Sequence, residues 1–161
     1  MSTVIGLTPM RVFWTVFIVL AVWLQLFVPG SDFFASGIVL CLQQERFRRV
    51  LGLTLLAILI QEAPGALAFG AGVLRYGALI GIFFLGRSLF EPRSPVFILL
   101  LAIVFTILQL IILHTMAGLQ SLSIYGQRLL LEGMIMFCMF VVGWWILDTV
   151  YRFATRYASQ S

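Results

Sequence analysis

The chain has no lysine, one histidine and little charge of either sign: of 161 residues, ten are basic, all of them arginine, and six are acidic, 10% in all. A soluble domain carries roughly 25% charged residues, so an ordinary water-facing surface is excluded for most of this sequence. The single histidine, His114, leaves no histidine pair to hold a metal. Neither a GxSxG nucleophile turn nor a GxxxxGK[ST] phosphate loop occurs. Most serines lie between apolar runs or in the tails, so an intramembrane serine protease would lack its catalytic pair. Only two cysteines are present, Cys41 and Cys138, with no CxxC, and both sit in apolar runs where a thiol serves as a small core residue. No Pro/Ser-rich linker, low-complexity tract or repeat divides the chain, which reads as one domain over residues 1–161. Catalysis, cofactor and metal are therefore not expected.

What is abundant is apolar surface: 62% of residues are hydrophobic, and the mean hydropathy is +1.12. The expectation is an integral membrane protein, with lipid as partner. Net charge is +4, but the arginines lie at the ends of apolar runs, the footprint of membrane topology rather than of nucleic-acid binding. Measured against the ~20 residues needed to cross a bilayer, the runs fall at 12–28, 33–43, 50–60, 66–86, 96–117 and 129–147. Four are long enough. The second and third are short and flank "QQERFRR" (43–49), consistent with stubby spans, a re-entrant pair or interfacial helices. The first is read as an uncleaved span, because no A-x-A cleavage site follows it.

Charge distribution favours six spans with both termini cytoplasmic. Arg11, Arg46, Arg48, Arg49, Arg87, Arg93, Arg152 and Arg156 then lie inside, and only Arg128 lies outside. A four-span arrangement would place "ERFRR" on the outer face and remove most of this bias. Trp14, Trp144 and Trp145 fall near inner span ends, where amphipathic rings favour the headgroup level. The tail "DTVYRFATRYASQS" reads either as a helical extension on anionic lipid or as an ordinary stop-transfer charge pair.

The tenth arginine, Arg75, falls inside the fourth run, "GALAFGAGVLRYGALIG". At 1.5 Å per residue it lies roughly 13 Å below the outer end, and an arginine at mid-membrane costs roughly 2.5–3.5 kcal/mol. It is therefore expected to face the bundle interior, snorkel upward and join an intramembrane polar cluster of Glu62, Arg75, His114 and Glu132. Glu62 is the favoured partner and Glu132 the alternative. A structural ion pair that fixes helix rotation is favoured over a ligand or proton site. On the same helix, Ala66, Gly70, Gly77 and Gly81 share one face about 140° from Arg75. Gly77 and Gly81 form a GxxxG pair that admits a close backbone neighbour, with packing inside the protein the expected use.

Several stretches together, "LFVPGSD", "QERFRR", "LIQEAPG", "GALAFGAGVLRYGALIGIFF" and "LGRSLFEPRSP", resemble the MreD family of bacterial rod-shape-determining inner-membrane proteins. The resemblance is densest over residues 24–95. It implies an all-α fold of six membrane helices, similar to the substrate-binding S-components of energy-coupling-factor transporters. It also implies a non-enzymatic place in the elongasome beside MreC, with MreB, RodA and a penicillin-binding protein as further partners, in the service of cell shape and peptidoglycan synthesis. The family usually carries Asp at the end of the third span, and the matching position here is Glu62. The other function considered is an S-component of a vitamin or metal transporter. Such components dock through small residues four apart in the first span, whereas "VFWTVFIVLAVWLQLFV" is bulky throughout except Ala21.

Overall fold

The computed structural model describes residues 9–27, 32–44, 47–62, 70–119 and 126–158. These fold into six helices in chain order: α1 (Pro9–Phe27), α2 (Phe33–Gln43), α3 (Phe47–Glu62), α4 (Ala71–Arg87), α5 (Pro95–Leu119) and α6 (Gly126–Ala158). There is no strand among the described residues. Each expected apolar run corresponds to one helix. The fourth helix begins at Ala71 rather than at 66, and residues 63–69 lie outside the described residues. Helix starts follow local chemistry. Pro9 and Pro95 open α1 and α5, where a missing N–H costs no intrahelical bond. Asp32 caps α2, accepting the Ala35 N–H at 3.2 Å.

The short α2 is the centre of the bundle. Nine successive residues, Phe34–Leu42, are buried, as expected of a helix that is apolar all round. It packs against α1, α3, α4 and α6, while α5 lies outside it against α4 and α6. Around α2 the core gathers Phe17, Ala57, Tyr76, Leu79, Phe83, Phe105 and Phe140. Gly37 of α2 makes room for the Phe17 ring of α1, which an added Cβ would overlap.

Length separates the helices. Two are long and apolar enough to cross a membrane, over Pro95–Thr115 in α5 and Leu130–Arg156 in α6. The other four are shorter, and α2, with 11 residues, rises only about 16 Å against a hydrocarbon thickness of about 30 Å. The six expected runs are thus present as six helices, of which two have spanning length and composition. The outer faces of the bundle are strongly apolar: Leu55, Leu59, Val73, Ile107, Ile111, Leu131, Met134 and Trp145 are all exposed. Such a continuous apolar exterior calls for lipid or a partner rather than water. Of the two cysteines, Cys41 is buried as expected, but Cys138 is exposed on the outer side of α6.

Candidate functional site: two polar ends of a buried helix

Both ends of α2 carry a polar network. At its N-terminus the side chain of Asp32 is 2% exposed and faces Arg75 of α4, whose Nη1 lies 3.4 Å from Asp32 Oδ2. The same Nη1 donates to Gln61 Oε1 at 3.1 Å. Gln61 Nε2 in turn donates to Asp32 Oδ1 at 3.3 Å, and the Tyr76 hydroxyl donates to the same oxygen at 2.9 Å. Including the Ala35 N–H, four donors meet one carboxylate. Three of these donors share Oδ1 and one reaches Oδ2, so the carboxylate is held mainly through Oδ1 and Oδ2 keeps room for a further donor. The arrangement ties α2, α3 and α4 together. Within this cluster the buried Arg75 Nε has no partner among the described residues.

Arg75 does face the interior, 6% exposed, but its ion pair is with Asp32 and not with Glu62 or Glu132. Counting depth along each run assigned Asp32 to a surface loop, whereas its place as the cap of a buried helix brings it down beside α4. Glu62 has a different use: its Oε1 accepts the N–H groups of Gly70 and Gly72, both at 3.1 Å. It therefore supplies the missing side-chain cap of α4, whose N-cap residue is glycine, and places negative charge at the positive end of the helix dipole. His114 is exposed on α5, and Glu132 is half-buried near the start of α6. The hydrogen-bonded cluster is thus Asp32, Gln61, Arg75 and Tyr76. The signal for Asp32 was in the sequence: "PGSDFF" is a turn followed by a capping residue before an apolar run.

At the other end of α2 the chemistry is neutral. Gln43 Oε1 accepts the indole N–H of Trp144 at 3.0 Å, and Gln43 Nε2 donates to the Pro92 carbonyl at 2.6 Å. One amide thereby joins α2, the α4–α5 turn and α6. Trp144 is buried, whereas its neighbour Trp145 is exposed. Three adjoining grooves, of about 340, 450 and 370 Å³, meet at Arg93. Arg152 and Asp148 line two of them and pair with each other at 2.6 Å. Arg156 lines the first. The remaining basic residues flank this end differently. Arg48 is exposed and Arg49 half-buried at the start of α3, Arg87 is exposed over the Phe84 ring, and Arg46 lies outside the described residues.

The small-residue face of α4 divides. Ala66 lies outside the described residues. Gly70 adopts φ +95°, a left-handed conformation that favours glycine, and serves as the N-cap of α4. Gly77 and Gly81 are exposed, and a Cβ at either would meet nothing within 4 Å among the described residues. Among the described residues the GxxxG pair therefore does not mediate packing. The reason is rotation: Arg75 and Tyr76 must turn inward to reach Asp32, which points the opposite face of α4 outward.

Set against known proteins, the chain matches no family model, no curated protein and no solved structure.

Proposed function

We propose that the protein is a non-enzymatic, multi-pass scaffold of the bacterial inner membrane, an assembly subunit of the MreD type in a cell-shape and peptidoglycan-synthesis complex. The observation that carries this reading is the open face of α4. Gly77 and Gly81 are bordered by exposed Val73, Leu74, Phe84 and Leu85, the form in which one membrane helix admits another. The Asp32 network supports a scaffold as well, because its hydrogen bonds hold α2, α3 and α4 together. Ala21 favours this reading over a transporter S-component. The single small residue in the body of α1 is buried, so α1 offers no small-residue docking stripe. In this reading α2 is a half-span shielded by protein, both termini are cytoplasmic, and MreC is the expected partner, with MreB, RodA and a penicillin-binding protein further out.

Co-purification of an epitope-tagged chain with MreC in mild detergent tests the proposal. Gly77→Leu and Gly81→Leu should insert and melt like the parent, since nothing among the described residues occupies that space, and should lose most of the recovered MreC. Unchanged recovery by both variants would remove the basis for the docking face. For orientation, a cysteine replacing the exposed Phe47 in a background lacking Cys41 and Cys138 should resist an impermeant thiol reagent added to spheroplasts.

A further inference from the structure

We propose that the groove between the start of α5 and the second half of α6 binds the phosphate-bearing headgroup of an anionic glycerophospholipid. Arg93, Asp148, Arg152 and Arg156 line it, three guanidinium groups against one carboxylate. Asp148, Arg152 and Arg156 are spaced four apart on α6 and so share one side of it. The 2.6 Å pair with Asp148 holds Arg152 in place, and the exposed Arg93 closes the cleft from the α4–α5 turn. Pro95, the first residue of the 25-residue α5, also lines the groove, so the positive end of that helix dipole adds to the field.

Two features specify the rest of the ligand. The groove wall includes Trp145 and Phe153, 66% and 57% exposed, and the first turns of α5 present exposed Val96, Leu99 and Leu100. A charged recess bordered by outward apolar side chains suits an amphiphile, whose acyl chain covers what a soluble phosphate would leave bare. In the neighbouring groove at Arg93 stands Gln44, whose amide oxygen and nitrogen are both buried and without a partner among the described residues. A donor and an acceptor side by side fit a polar headgroup hydroxyl. The site is thus more than a basic tail resting on a charged surface.

The inference rests on the membrane reading, and its test separates the two. The purified full chain is first floated with phosphatidylcholine vesicles; failure to float would count against membrane insertion itself. Binding is then measured by native mass spectrometry in detergent with phosphatidylglycerol, phosphatidylcholine and inorganic phosphate as separate titrants. Phosphatidylglycerol should bind at least fivefold more tightly than phosphatidylcholine, and millimolar phosphate should not displace it. Arg93→Gln should weaken phosphatidylglycerol about fivefold, the worth of one arginine toward an anionic lipid. Arg93→Lys should keep most of the affinity. Arg87→Gln, a basic residue outside the groove, should change nothing. Equal binding of both lipids, displacement by phosphate, or equal losses from Arg87→Gln and Arg93→Gln in variants of parental helix content would each overturn the site.

Discussion

The two ends of α2 solve the same problem with different chemistry. At Asp32 a buried carboxylate faces a buried guanidinium, and four donors from three helices meet the acid. At Gln43 one neutral amide makes two bonds, to an indole and a carbonyl, beside open grooves lined by charge. The difference shows which end can bind something. The ion pair is buried and bonded to three helices, whereas the amide end borders open grooves lined by Arg93 and Gln44. The Asp32 end locks the fold, and the Gln43 end supports a surface.

The largest expected effect follows from unpairing the charged end. Leaving one member of a buried pair unmatched costs about 3–5 kcal/mol, while replacing both is often nearly neutral. Arg75→Leu should therefore lower the melting temperature in detergent sharply, and adding Asp32→Asn should recover much of the loss. Adding Glu62→Gln should not, because Glu62 bonds the start of α4 rather than Arg75. Rescue by Glu62→Gln instead of Asp32→Asn would reverse the assignment of the pair.

A smaller loss is expected midway along α2. Gly37→Ala places a Cβ where the Phe17 ring now lies, and overpacking of this kind typically costs about 1–3 kcal/mol. Parental thermal stability would mean that α1 is held less firmly against α2 than the contact implies. At the neutral end, Gln43→Leu leaves the Trp144 indole N–H without its acceptor, for about 1–2 kcal/mol. This variant should cost less than Arg75→Leu in the same melting assay. An equal or greater cost would abolish the distinction between a locking end and a supporting one. The smallest change should come from the open face, where Gly77→Ala should leave the isolated chain within about 0.5 kcal/mol of the parent. A loss comparable to that of Gly37→Ala would place an unseen neighbour against α4.

How far the site was legible depended on whether its residues announced themselves locally. Arg75 stood out because a fixed charge in an apolar run is costly, and that cost alone predicted an inward-facing side chain. Its partner did not stand out. Asp32 lies 43 residues away and, counted along the chain, belongs to a short turn after the first run. Glu62 and Glu132 were closer in expected depth, but depth along a straight span is a poor guide when the second helix is a short central insert. Tyr76 was hidden beside Arg75 as one more aromatic in an apolar sequence, and Gln43 as one of two glutamines before a basic turn.

Helix number and position were determined by the sequence itself, because each rests on contiguous apolar residues and on caps such as Asp32 and Pro95. The second run, 33–43, coincides with α2 at both ends. Burial and rotation were decided only by tertiary structure. That α2 is enclosed on all sides depends on four helices converging on it, and no periodicity within eleven residues encodes those neighbours. That Gly77 and Gly81 look outward depends on Arg75 and Tyr76 being drawn to Asp32. A helix can turn about its axis without changing its own backbone bonds, so only contacts between helices fix which face it presents.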